Sequence, residues 1–206
     1  MKPSKNPLGI CLLVSLLALP LSAFADEDPH ARHRAMMKQK SDPVAESADV
    51  DLRDRQLVDQ HGREVMFVSD VIGDKKAVIA GIYTGCTTIC PITTLLFAGL
   101  QDALGERMER EVRLISLSVD PANDTPAMLA EAAADIDAKP GWIWLTGAPV
   151  LQNEVLLGIG AYSTDVTEHP PVFLVGDGRT GEFVQLYGFP SVEEFLGLLG
   201  PEGGSS

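Results

Sequence analysis

The chain has 206 residues, of which 45% are hydrophobic, three cysteines, and a formal net charge of −13. So large an excess of acid disfavours nucleic-acid binding, which depends on cations facing phosphates. Three cysteines are too few for a disulfide-stapled scaffold, and the length suits one well-formed core better than two.

Taken in order, Lys2 and Lys5 precede an apolar run from Leu8 to Leu21, and Ala23-Phe24-Ala25 follows as a small-x-small site. Residues 1–25 therefore read as a secretory signal peptide cut before Asp26, with an uncleaved anchor as the lesser alternative. Cys11 leaves with the peptide; Ile10 is a poor neighbour for a lipidated cysteine. Removing 25 of the 206 residues leaves 181 and takes away Lys2 and Lys5 but no acid, so the charge moves from −13 to −15. Residues 26–50 are polar and nearly aperiodic, and read as a flexible leader. His30, His33, Met36 and Met37 within it can pick up copper, although a plain solvated tether is the favoured reading because spacing alone fixes no geometry.

Leu57 to Val65 predicts two short strands joined by a turn at His61-Gly62, which makes His61 a turn residue. Lys76 to Tyr83 is a nearly continuous apolar run of strand length, as expected of a central strand covered on both faces. Tyr83-Thr84-Gly85-Cys86-Thr87-Thr88-Ile89-Cys90-Pro91 follows, with Pro91 suited to a first helical turn and Leu95, Leu96, Leu100 and Leu104 at helical spacing beyond it. Val112 to Val119 predicts another strand, ending in Asp120-Pro121. Asp124 or Thr125 can cap a helix that has Pro126 in its first turn and strong helix formers from Met128 to Ala138. Trp142 to Leu145 reads as a short strand and Pro149 to Tyr162 as a helix with Val150, Val155, Leu156 and Ile159 apolar. The loop Ser163 to Pro171 leads into Val172 to Val175, and Asp177 to Gly181 turns the chain into Glu182 to Tyr187, a hairpin signal. Ser191 with Glu194 forms a capping box for a last helix to Leu199, and residues 201–206 read as a frayed tail. The alternation predicts an α/β sandwich around a mixed sheet.

Cys86 and Cys90 fall where a strand gives way to a helix N-terminus, whose free N–H groups and dipole favour thiolate. Four residues apart, the two sulfurs can meet one ion or each other. A close pair with no other cysteine in an exported chain points to redox or metal chemistry, with a small local disulfide as the plainer reading. Two thiolates suit Cu(I), and one imidazole would complete a trigonal copper set. His169 is the best-placed histidine, because its loop opens a strand expected to pair near the first βα turn, where sites in open α/β sheets gather. An exposed loop histidine is the plain alternative. A cis Pro170 or Pro171 facing the thiols would lean instead toward disulfide exchange.

Together, the Thr-x-Cys-x-x-x-Cys-Pro element (Thr84 to Pro91), the Ser-Val-Asp-Pro-x-x-Asp-Thr-Pro element (Ser118 to Pro126) and a histidine about 80 residues beyond the cysteines resemble the Sco (SenC) family. These are thioredoxin-like copper proteins that help assemble the CuA centre of cytochrome c oxidase. The resemblance covers roughly Asp51 to Leu199. It implies a thioredoxin-like domain over residues 51–200, a mixed central sheet flanked by helices with an added N-terminal β-hairpin. It implies copper as the bound metal and Cys86, Cys90 and His169 as its ligands, with Asp120 and Asp124 ordering the surroundings. It further implies a periplasmic metallochaperone, free or membrane-associated, whose partner is the copper-site subunit of cytochrome c oxidase or another periplasmic copper protein. The chain departs from the family in having Thr87, not proline, after the first cysteine, and Glu168-His169-Pro170-Pro171 in place of Asp-His-Ser or Asp-His-Thr. The competing expectation is a thiol:disulfide oxidoreductase with Cys86 as attacking and Cys90 as resolving thiol. A peroxide-reducing enzyme of the same fold ranks behind both.

Overall fold

A computed structural model describes residues 44–47 and 50–203. Cys11, His30, His33, Met36 and Met37, and with them the signal-peptide and leader readings for residues 1–43, lie outside the described residues.

One eight-stranded mixed sheet organises the chain, in the order β1-β8-β7-β4-β5-β6-β2-β3. Its strands are β1 (Val44–Ser47), β2 (Gln56–Asp59), β3 (Glu64–Met66), β4 (Lys76–Ile82), β5 (Val112–Ser118), β6 (Trp142–Thr146), β7 (Val172–Asp177) and β8 (Glu182–Tyr187). Among the described residues there are four α-helices: α1 (Cys90–Leu104), α2 (Pro126–Asp135) and α3 (Pro149–Gly158) link successive strands from β4 to β7, and α4 (Val192–Leu199) follows β8. The pairs β4/β5 and β5/β6 are parallel, and β7 runs antiparallel to β4.

The apolar run of β4 serves both faces at once. Val78, Ala80 and Ile82 enter the core under α1, α2 and α4 with Phe97, Leu100, Trp142, Phe173 and Phe195. Ala77 and Ile79 face the opposite core, with Leu57, Phe67, Ile115, Leu117, Val155 and Leu156. Each fully buried Val, Ile, Leu or Phe among these is worth about 1.5–3 kcal/mol of transfer free energy, so the strand is held from both sides. The hairpin β2/β3 forms as expected. Gly62 takes φ +77° in its turn, and the Asp59 carboxylate accepts from the N–H groups of His61 and Arg63 at 2.9 Å each. His61 is exposed there.

Three expectations need correction. Val44–Ser47, in the stretch read as leader, forms edge strand β1 against β8; an edge strand is held by its ladder and needs no apolar period. The buried stripe of α1 is Cys90, Thr93, Phe97, Leu100, Gln101 and Leu104, whereas Leu95 is 64% exposed. Leu95 lies two residues from both Thr93 and Phe97, hence on the opposite side of a helix with about 3.6 residues per turn. Likewise α3 ends at Gly158 rather than Tyr162, followed by Gly160 at φ +70°, and Val150 is exposed.

The hairpin β7/β8 and the Ser191–Glu194 capping box are both present. Among the described residues, no helix is long and apolar enough to cross a membrane.

A candidate metal and thiol centre

Parallel strands β4 and β5 deliver two chain segments to one edge of the sheet, and antiparallel β7 starts from that same edge. Phe173 pairs with Ala80, so His169, four residues before Phe173, reaches the point where β4 gives way to the cysteine loop. The candidate residues therefore converge through sheet register although 79 positions separate Cys90 from His169.

The cysteine loop closes on itself. Cys86 N–H donates to the Tyr83 carbonyl at 3.2 Å, and Cys90 N–H donates to Cys86 Sγ at 3.3 Å. Residues 86–89 are not α-helical, so the cysteines do not share a helical turn; instead the Cys86 sulfur caps the first N–H of α1, where Ile89 offers no side-chain cap. Pro91 stands in the first turn, as its missing donor permits.

Both cysteines are free, Cys86 half-buried and Cys90 5% exposed, and their acidities diverge. Burial alone would raise the Cys86 thiol. Hydrogen bonds to its sulfur from the Cys90 thiol and N–H and from Thr88 outweigh that and bring it down to about 7. Burial pushes the Cys90 thiol up to about 12, helped by donation of its own proton to Cys86. Cys86 should accordingly be about half thiolate at neutral pH, against about 1% for a thiol at its ordinary value of 9.0. Iodoacetamide alkylation of Cys86, read by peptide mass analysis, should rise through a midpoint near pH 7, while Cys90 stays unreactive until far higher pH. A Cys86 midpoint near 9 would contradict this electrostatic picture.

His169 is 5% exposed, not an exposed loop residue, and burial lowers its pKa, with a partial offset from the Pro170 carbonyl. Its Nδ1 lies 3.3 Å from the Pro170 oxygen. A carbonyl only accepts, so Nδ1 carries the proton and Nε2 presents its lone pair to Cys90 Sγ at 3.9 Å. Tyr83 packs edge-on against the imidazole, with ring centroids 5.9 Å apart at 76°. Gly81 leaves room for Val119 beside the site: a Cβ there would stand 2.9 Å from Val119 Cγ1, and only in ordinary contact, 3.9 Å, with His169 Nδ1. Peptide bonds among the described residues are all trans, so neither Pro170 nor Pro171 is the cis residue considered above. Pro170 instead contributes its carbonyl to orient the imidazole.

Asp124 ties the cysteine loop to the end of β5. Its carboxylate, in a residue 4% exposed, accepts from Thr84 N–H at 3.0 Å, from Thr84 Oγ1 at 2.5 Å and from Ser118 Oγ at 2.5 Å. Thr125, not Asp124, caps α2, accepting from Met128 N–H at 3.3 Å. Asp120 has a different partner, accepting both Asn123 Nδ2 hydrogen bonds at 2.9 and 2.8 Å. Tyr83, Thr88 and Gly81 carry no sequence signal of their own; only their proximity to the cysteines marks them, since their contacts depend on tertiary register.

In chemical terms, the centre brings Cys90 to His169 and Cys86 to Cys90, while no hydrogen bond joins Cys86 to His169. No cluster of three or more His, Cys, Asp or Glu side chains is gathered at ligating geometry among the described residues. Thiolate and imidazole bonds of about 2.3 and 2.0–2.1 Å to a transition ion hold the two donors about 3.5–4 Å apart, so the 3.9 Å separation of Cys90 and His169 fits a shared ion. Two sulfurs and one neutral imidazole form a soft donor set.

Residues 46–171 match the family model described as SCO1/SenC. The SCO1 protein homolog of Bacillus subtilis is 43% identical over 67 residues, covering 32% of this chain and 34% of that protein. Protein SenC of Rhodobacter capsulatus is 37% identical over 93 residues, covering 45% and 40%. The alignments thus span only about a third to two fifths of these relatives' lengths. The solved structure of Bradyrhizobium japonicum ScoI with copper bound superposes with a TM-score of 0.59 at 28% identity, over 70% of this chain and 94% of that one. The thioredoxin-like fold implied by the resemblance is the fold of this chain.

Proposed function

The chain belongs to the SCO1/SenC family, and from that premise we propose that it binds one copper ion through Cys86, Cys90 and His169 and hands it to another copper protein, foremost the CuA-site subunit of cytochrome c oxidase. The observation that carries this reading is the 3.9 Å approach of His169 Nε2, lone pair forward, to Cys90, which Cys86 in turn caps. The copper-bound state of the Bradyrhizobium ScoI relative supports the choice of metal. Copper is cargo here: a partner's thiolates displace this chain's donors one by one, and the ion's charge need not change. On this reading residues 1–25, with Ala23-Phe24-Ala25 at their end, are a cleaved export signal and the transfer takes place in the periplasm. The acidic surface draws in a basic partner, an attraction that salt weakens.

Titration of the reduced protein with copper should end at one ion per chain, and Cys86→Ser and Cys90→Ser should each abolish retention on a desalting column. Undiminished retention by either variant would remove that cysteine from the ligand set.

A second reading, reduction of a partner's disulfide, is favoured by the unequal thiols. Cys86, nearer thiolate, attacks one sulfur of the partner's disulfide and releases the other as thiolate. Cys90 then attacks the Cys86 sulfur of the mixed disulfide, its proton passing to the second partner thiolate as that leaves. The partner is reduced by two electrons and the Cys86–Cys90 pair is oxidised by two.

A further inference from the structure

A groove of about 450 Å³ opens beside the two thiols, between α1 and α2. Ile136 and Leu95 form apolar walls, Trp144 contributes to the floor, and Cys86 and Cys90 lie in the lining. Leu95 is 64% exposed, so its side chain is accessible to an occupant of the groove. Trp144 is 2% exposed, and its indole N–H has no hydrogen-bond acceptor among the described residues. Buried donors normally have partners.

We infer that this groove seats a partner protein's peptide segment in which a cysteine is flanked by an apolar residue and a basic one, so that the partner's sulfur is delivered to Cys86. The inference rests on the reading that Cys86 and Cys90 exchange copper or electrons with a partner. Continuity with the thiols requires the occupant to bring a sulfur. The apolar walls select a side chain such as leucine beside it. Among the described residues the lining holds the Asp135 carboxylate and the acidic Cys86 thiol but no Lys or Arg, so an acidic segment is disfavoured and a basic residue suits the rim. A second copy of this chain, at −13, fits that rim poorly.

The test uses the reduced full chain, metal-free, and two synthetic hexapeptides of equal charge. One carries cysteine beside leucine and lysine; the other has serine in place of the leucine. Binding is followed by amide and indole chemical shifts. The leucine peptide should bind at least about tenfold more tightly, moving the Trp144 indole, Leu95 and Ile136 signals. Leu95→Glu, at an exposed position, should erase that preference without altering copper stoichiometry. Equal affinity for both peptides, or a preference that survives Leu95→Glu, overturns the proposal. A concentration-dependent dimer that Leu95→Glu dissociates would also overturn it by making a second copy the occupant. Loss of copper uptake with the peptide preference intact would sink the metal reading alone.

Discussion

Replacing His169 with alanine should weaken copper binding by about 10- to 100-fold or more while leaving the rate of thiol exchange at Cys86 within about twofold. The asymmetry follows from the contacts. His169 Nε2 faces Cys90 Sγ, whereas the hydrogen bonds that lower the Cys86 thiol come from Cys90 and Thr88, none from the imidazole. Removing the ring therefore takes away one of the proposed metal donors and spares the proposed nucleophile. The measurement pairs a competitive copper titration with stopped-flow reaction of the reduced protein with a small aromatic disulfide. Equal copper affinity in variant and wild type would take His169 out of the ligand set. A collapse of exchange together with copper binding would mean that the ring supports the loop rather than the ion.

Asp124→Ala should cost about 3–4 kcal/mol of folding stability, lowering the urea midpoint, and should also raise the pH midpoint of Cys86 alkylation. Three donors, Thr84 N–H, Thr84 Oγ1 and Ser118 Oγ, lose their acceptor together in a position 4% exposed. Stranded buried donors are more expensive than the hydrogen bonds are worth when made. Thr84 stands two residues before Cys86, so releasing it loosens the loop whose turn, Cys86 N–H to the Tyr83 carbonyl, sets the sulfur against the first N–H of α1. Asp124→Asn, able to accept through one oxygen, should recover part of the stability. A variant as stable as wild type, with an unchanged alkylation profile, would show that the carboxylate does not hold the loop.

What could be read from the residues in advance divides along the line between local and tertiary causes. The run Lys76 to Tyr83 announces a strand covered on both faces, because a one-sided strand would alternate, and β4 lies between β5 and β7 with core on each side. The turn at His61-Gly62 and the capping box at Ser191 are local devices and stand where the sequence puts them. Of the α1 leucines, Leu100 and Leu104 are buried as expected and Leu95 is not, because helical spacing alone admits more than one face and packing chooses; Phe97 and Thr93 went inward while Leu95 stayed out. Strand β1 left no pattern to find, since backbone pairing with β8 makes it. His169 was legible as a candidate from its loop, but its burial, its tautomer and its contact with Tyr83 arise from the register of β7 on β4. Asp124 was legible as an acid near the site. Its hold on Thr84, 40 residues away, was not.

The central claim is that two sulfurs and one imidazole of this chain share a copper ion. X-ray absorption at the copper edge of the loaded protein tests it most directly, because it counts sulfur and nitrogen neighbours without reference to activity. The expected spectrum fits two sulfur scatterers and one imidazole nitrogen, and the imidazole contribution disappears in His169→Ala. A sulfur-only shell in the wild type, or a protein that sheds the metal and closes a Cys86–Cys90 disulfide, would contradict the account.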